Sequence, residues 1–503
     1  MKNRTDEFER AAGILLPISS LPSKNGIGTL GKAAYDFIDF LADAGQRYWQ
    51  ILPVGATSYG DSPYQSFSAF AGNPYYIDLN ELKREGLLKK KEIKSVNWGT
   101  DAEKVDYALM FEKRFEILKL AYKRSQHSET DEYKKFCRKN ADWLYDYSLY
   151  MSIKFDCGQR SWLEWDDDIR LRKASAVAEY KKKLSDEVYF WSFLQFKFFE
   201  QWKKLRSYAH KKGVMIIGDI PIYVAMDSAD AWANGGQFML DEDMRPVKVA
   251  GVPPDCFSED GQLWGNPLYR WDVMEEDDFK WWKRRVSFSA QIYDVIRIDH
   301  FIGITRYYSI DAGSKTAKDG EWLAGPGMKL IEAIDEARGD TRIIAEDLGV
   351  ISPEVRKTQL DAGYPGMKVF QFAFGDTTEN AFLPHNYSEN FVVYTGTHDN
   401  NTTLGYAQSI KKKELKFVKE YLNVEKRSEI PGAMIRAAYM SVAHTVIIPM
   451  QDFLELGSKA RINTPSTLGG NWEWRMSADA ASKELSEKIR KMTAAYGRKV
   501  KTE

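Results

Sequence analysis

The chain has 503 residues, with 71 Lys+Arg against 72 Asp+Glu and a formal net charge of −1. That balance gives no general pull toward nucleic acid or an anionic membrane surface. The three cysteines, Cys137, Cys157 and Cys256, are odd in number, widely spaced and without a CxxC pair, which argues against a disulfide framework or a zinc site.

The N-terminus, MKNRTDEFERAAGILLPISS, mixes acids with bases, and Pro17 breaks its short apolar run. It does not fit a signal peptide, and no apolar stretch is long enough to span a membrane, so a reducing cytoplasm is the expected location. Eight short apolar runs follow as predicted strands: 13–19, 48–54, 214–222, 295–301, 342–348, 367–374, 391–397 and 445–451. Most are uniformly apolar rather than alternating, as expected where both faces are covered. A helical stretch at 33–44 follows the first run, and another at 328–338 precedes the fifth. The gap between the second and third runs is far longer than a barrel connection needs. Phe111, Phe115, Leu118 and Tyr122 recur there at helical spacing, as do Phe190, Phe193, Leu194, Phe198, Trp202 and Leu205. Residues 81–186 are predicted to form an inserted, mainly helical subdomain, and a helix over about 188–211 returns the chain to the third strand. A second insertion at about 227–278, rich in Gly, Pro, Trp and acids, reads as a loop system covering the cleft. The expected fold is α/β, a (β/α)8 TIM barrel of residues 1–80 and 187–503 with large helical and loop insertions. A doubly wound sheet is the alternative, because a strand count does not prove closure.

Three carboxylates sit at the ends of three of these runs: Asp299 in VIRIDHF, Glu346 in RIIAEDLG and Asp399 in FVVYTGTHDNN. A parallel barrel gathers the C-terminal ends of its strands on one face. Arg297, two residues before Asp299, points to the same side of its strand and would hold that acid ionised, as a nucleophile requires. Glu346 could gain a raised pKa from an apolar cleft and from Asp299, which suits a general acid. Asp347 is sent to the opposite side, toward a structural hydrogen bond. His300 and His398 beside two of the acids suggest a rival carboxylate–imidazole metal site. No HxH or HExxH occurs, however, and adjacent residues on a strand point opposite ways. A retaining glycoside reaction accounts better for one attacking carboxylate, one proton donor and one bracing carboxylate.

At these motifs the chain resembles the 4-α-glucanotransferases, also called amylomaltases or disproportionating enzymes, of the α-amylase clan. The likeness runs through SYGDSPYQSFSAFAGNPYYIDL, GDIPIYVAMDSADAW, VAGVPPDCFSEDGQLWGNPLY, IRIDHF, AEDLG, GTHDNNT and RINTPSTLGGNWEWR, in that order. The resemblance implies Asp299 as nucleophile, Glu346 as general acid/base and Asp399 as transition-state-stabilising carboxylate. It implies substrate binding by Arg297, His398 and Asp219, by Ser62 and Tyr64 on the acceptor or glucan-binding side, and by Trp264 on a loop partly covering the cleft. It further implies a barrel without the separate C-terminal β-domain of amylases. Ser466 stands where the family often has Gly, and Cys256 where an aromatic residue is common. The implied substrates are α-1,4-glucans and glucose, with no nucleotide, redox cofactor or obligatory metal. Two other functions use the same features: an α-amylase-like hydrolase with the same acids, and a silent glucan-binding protein with the same aromatic cleft.

Overall fold

Strands whose two faces are both buried need apolar side chains on each, and the continuous apolar runs meet that requirement because successive side chains supply the two faces in turn. The computed structural model describes residues 8–58, 60–254, 258–349, 351–375 and 377–499. The eight strands are β1 (Ala11–Leu15), β2 (Tyr48–Gln50), β3 (Met215–Pro221), β4 (Val295–Asp299), β5 (Arg342–Ala345), β6 (Gly366–Val369), β7 (Phe391–Tyr394) and β8 (Thr445–Pro449). They pair in parallel in the order β6-β7-β8-β1-β2-β3-β4-β5. The ends of that order meet: the Ala345 N–H donates to the Pro365 carbonyl at 2.9 Å. The sheet is therefore a closed barrel rather than a doubly wound sheet.

One set of residues fills the lumen, including Tyr48, Ile217, Val295, Ile344, Tyr394 and Ile447. Their neighbours Trp49, Ile216, Ile296, Ile343, Val393 and Val446 face outward into the larger core under the helices. The period of two continues upward, so Asp219 stands above Ile217, Arg297 and Asp299 above Val295, and Glu346 above Ile344. Asp347 takes the other side, as its strand position predicts. Its Oδ1 accepts the Met367 N–H at 2.7 Å, tying β5 to β6 at the seam.

All eight predicted strands are present, but most end earlier than the apolar run suggests. The apolar residues that overshoot serve the barrel mouth instead. Phe370–Phe372, for example, is a 3-10 turn, and Phe370 packs with Phe374 and Leu383 in a separate apolar cluster. After β8 no further strand of a sheet follows among the described residues, only helices, loops and an isolated antiparallel bridge between Trp474 and Lys104, ending in the helix Lys483–Ala495.

The gap between β2 and β3 is helical. Helices Tyr107–Arg124, Leu144–Asp156 and Ser185–Lys211 meet through Phe115, Phe155 and Trp191, with ring centroids 5.1–5.4 Å apart. The 27-residue helix Ser185–Lys211 leads into β3. The stretch after β3 differs from the expected loop system. Lys248–Val252 and Gln262–Pro267 join Arg306–Asp311 and Glu321–Ala324 in a four-stranded antiparallel sheet. Lys248 pairs with Asp311, more than sixty residues away, so no hairpin turn announced the central pairing.

Asp347→Ala should destabilise the protein by about 1–3 kcal/mol, because it leaves the Met367 N–H without its acceptor at the seam. Chemical denaturation checks this, and an unchanged midpoint would mean that the seam does not depend on this bond.

Candidate active site

The first group grows from the lumen of β3 and β4. Arg297 is 3% exposed, and its Nη1 lies 2.8 and 2.6 Å from the two Asp219 oxygens and 2.9 Å from Asp299 Oδ1. Burial opposes the Arg297 charge, but Asp219 and Asp299 outweigh it and hold the guanidinium well above its ordinary pKa. Burial pushes Asp219 up from the usual carboxylate value, with Arg297 opposing. Asp299 keeps 28% of its side chain open to the cleft, so one carboxylate oxygen is braced while the group stays accessible.

Glu346 lies one residue beyond β5 and is 7% exposed. Its Oε2 accepts the His300 N–H at 2.7 Å and its Oε1 the Leu348 N–H at 2.8 Å. His300 itself adopts φ 52°, a left-handed conformation uncommon for a side-chain-bearing residue. Burial pushes Glu346 up and the Asp299 charge adds to it. Arg297 and the two N–H donors pull the other way, and the balance lies at about 8. The upward shift favours the protonated form, as a proton donor requires.

Asp399 does not lie at a strand end. β7 stops at Tyr394, and residues 395–402 form a loop before the helix Thr403–Ser409. The rule that adjacent side chains point apart does not hold in this loop, because the backbone is no longer extended. His398 Nε2 sits 3.3 Å from Asp399 Oδ2, and Asn463 Nδ2 donates to Oδ1 at 2.6 Å. Burial would raise the Asp399 pKa, but His398 and Asn463 outweigh it and bring it down to about 2. With 45% of the side chain reachable by solvent, water also favours the ionised form. Burial would lower His398, and Asp399 outweighs it to raise the imidazole.

Tyr64 links the two halves. Its hydroxyl donates to Asp219 Oδ2 at 2.9 Å and lies 3.4 Å from His398 Nδ1. Its ring stacks on His398 at 5.1 Å and meets Trp472 at 6.0 Å. Ser62 shapes this loop, its hydroxyl accepting the Tyr64 N–H at 3.3 Å. Trp264, on the strand Gln262–Pro267, is partly exposed and meets the His300 ring edge-on at 4.8 Å. The antiparallel sheet thus places Trp264 over the β4 and β5 edge of the mouth. All nine residues singled out in the sequence have places at this mouth. Six of them, Tyr64, Asp219, Arg297, Asp299, His398 and Asp399, share one side-chain network of hydrogen bonds and ion pairs; Glu346 is held beside it by the His300 and Leu348 N–H groups, Ser62 bonds the Tyr64 backbone, and Trp264 touches the His300 ring.

Four contributors are not legible in the sequence. Asn463 and Trp472 belong to RINTPSTLGGNWEWR, where only the motif as a whole drew notice. The backbone donors of His300 and Leu348 leave no mark in residue type. Ser466 has φ 62°, which explains physically why a glycine suits that position. Cys256 lies outside the described residues. Among the described residues, no group of three or more His, Cys, Asp or Glu side chains is arranged to hold a metal ion.

A family model described as 4-alpha-glucanotransferase matches residues 16–481. The chain belongs to that family. It is 50% identical to a 4-alpha-glucanotransferase of Clostridium butyricum over 96% of this chain and 99% of that protein. The Thermus thermophilus 4-alpha-glucanotransferase is 46% identical over 98% of this chain and 100% of its own length. Among solved structures, an amylomaltase from Streptococcus agalactiae in complex with acarbose superposes with a TM-score of 0.95 at 41% identity, covering 98% of this chain and 100% of that one. The chain is accordingly an enzyme of this family, built on a TIM barrel.

A raised acid makes a signed prediction about pH. The Glu346 pKa climbs from 4.5 to about 8 on folding, so between these values the folded state holds a proton that the unfolded chain has released. This contribution is lost as pH rises through the window. Glu346→Gln, always neutral, should flatten that decline, read as thermal midpoints from pH 5 to 9. Parallel curves for variant and wild type would contradict the raised pKa.

Proposed function

We propose that the protein transfers α-1,4-glucan segments between maltooligosaccharides, or to glucose, by a retaining double displacement at this mouth. The observation that carries the reading is the difference among three neighbouring carboxylates. Asp299 is open to the cleft and braced by Arg297, Glu346 is raised to about 8, and Asp399 is depressed to about 2. A raised proton donor beside an accessible, arginine-braced carboxylate matches the acid and the nucleophile of retaining glycoside chemistry, and the depressed third acid suits the bracing role.

In the first step Asp299 attacks the anomeric carbon while Glu346 protonates the departing glycosidic oxygen. Asp399 stabilises the positive charge that develops on the ring. The glycosyl–Asp299 ester is then attacked by the 4-hydroxyl of an acceptor sugar, deprotonated by Glu346. Two inversions give net retention, and one α-1,4 bond replaces another. Asp219, Arg297 and His398 are suited to hold the sugar at the cleaved bond. Ser62, Tyr64 and Trp264 are suited to the acceptor side and to longer glucans.

Transfer requires the acceptor to outcompete water, present at roughly 55 M, whereas effective molarities of well-held groups reach about 10⁵ M or more. The faces of Tyr64 and Trp264 can pack on glucose and exclude water there. A cytoplasmic location is part of this reading. It is supported by the free thiols Cys137 and Cys157 and by the lack, among the described residues, of a helix long and apolar enough to cross a membrane.

Maltotriose incubated with the protein should give a ladder of longer and shorter maltooligosaccharides plus glucose. Monotonic shortening would indicate a hydrolase, and unchanged maltotriose a binding protein. Asp299→Asn should abolish nearly all turnover while glucan binding persists, and normal disproportionation by it would remove Asp299 from the mechanism. Glu346→Gln should impair natural glucans far more than a glycosyl fluoride, whose leaving group needs little protonation. Equal losses on the two donors would sink the acid assignment.

A further inference from the structure

A buried carboxylate outside the reacting set grips the loop that carries Asp399. Asp452 lies on the short helix Met450–Phe453, just past β8, and is 1% exposed. Its Oδ2 accepts the Thr395 hydroxyl at 2.6 Å, and its Oδ1 accepts the Thr403 N–H at 2.7 Å. Thr395 is the first residue beyond β7, and Thr403 is the first residue of the helix Thr403–Ser409. The two oxygens thus fasten both ends of one loop, and His398 and Asp399 lie between them.

Other bonds shape the interior of the loop. Asn400 Oδ1 accepts the Thr397 N–H at 2.8 Å, Gln371 Nε2 donates to the Asn401 carbonyl at 2.8 Å, and Arg461 Nη2 donates to the Asp399 carbonyl at 2.6 Å. Asp452 sets where that shaped loop stands on the barrel, since β7 and β8 are neighbours in the sheet. A buried carboxylate is a costly choice for this task, because its charge is taken from water. Burial pushes its pKa up, while the bonds from Thr395 and Thr403 hold it down. An amide of the same shape could accept the Thr403 N–H and donate its NH2 to the Thr395 hydroxyl oxygen, which accepts as well as donates, so only removal of the whole polar group, as in Asp452→Ala, releases both ends of the loop.

We propose that Asp452 is a positioning residue for the transfer reaction, holding the Thr395–Thr403 loop so that Asp399 stays in register with Asp299 and Arg297. The proposal rests on the reading of Asp399 as the stabilising carboxylate. Misplacing a reacting group by about 1 Å can cost on the order of 100-fold in rate, so the anchor matters without touching substrate.

The experiment is a double-mutant cycle between Asp452→Ala and Asp399→Asn. Rates are measured on maltotriose and on α-maltosyl fluoride, a donor reactive enough to keep residual activity visible. Thermal midpoints establish that each variant is folded. Asp452→Ala alone should lower kcat by on the order of 10- to 100-fold with KM changed by less than about threefold. In the Asp399→Asn background the same substitution should cost less than about threefold more, because the group it positions is already disabled. Equal fold-losses in both backgrounds would overturn the proposal, as would a folded Asp452→Ala with full kcat. If Asp452→Ala does not fold, Thr395→Val, which removes one donor and keeps the shape, goes through the same cycle with the same two outcomes. Normal turnover of maltotriose by Asp399→Asn alone would overturn the reading of Asp399 itself, a failure visible without any Asp452 variant.

Discussion

The guanidinium of Arg297, buried at the top of the barrel lumen, is the interaction on which the site depends. It binds Asp219 from the neighbouring strand and Asp299 from its own. Removing such a cation from water costs several kcal/mol, which two close carboxylates can offset. With it, the buried Asp219 gains a counter-charge that opposes the upward push of burial. The same guanidinium fixes Asp299 by an ion pair, and Asp299 in turn adds to the raised pKa of Glu346.

The barrel supplies the geometry for this arrangement through a period of two. Apolar residues fill the lumen below, and the next inward position on β3, β4 and beyond β5 carries a charged group. The same alternation explains why Arg297 and Asp299 meet and why Asp347 turns away to close the seam. Beyond the strand ends alternation no longer applies. The loop after β7 holds Asp399 by hydrogen bonds to His398 and Asn463, and through Asp452 to the neighbouring strand end. The antiparallel sheet brings Trp264 over the opposite edge. Rigid strands therefore place the nucleophile and the acid, while fastened loops place the brace and the walls.

This division decides what could be seen in the sequence. The eight strands were legible because burial on both faces demands continuous apolar runs, and three acids stood at or just beyond such runs. Helix 185–211 was legible from its aromatic spacing. The antiparallel sheet was not, since its central pairing spans barrel strand β4 and its two outer pairs are joined by long loops rather than tight hairpin turns. Strand ends were overestimated, because apolar residues such as Phe370 continue past the last ladder bond into the mouth. His398 and Asp399 looked divergent only under the assumption of a strand that had already ended. Asn463, Asp452 and the N–H groups of His300 and Leu348 act through contacts far apart in the chain or through the backbone, where residue type says little.

The central claim is that Asp299 forms the covalent bond to sugar while Glu346 handles the proton. Glu346→Gln incubated with α-maltosyl fluoride tests it most directly. The fluoride leaves without a proton donor, and the missing base slows release of the ester, so the glycosyl-enzyme should accumulate. Peptide mass spectrometry is then expected to place a maltosyl group on Asp299. A maltosyl group on another residue, or steady turnover of the fluoride with no adduct at all, would contradict the account.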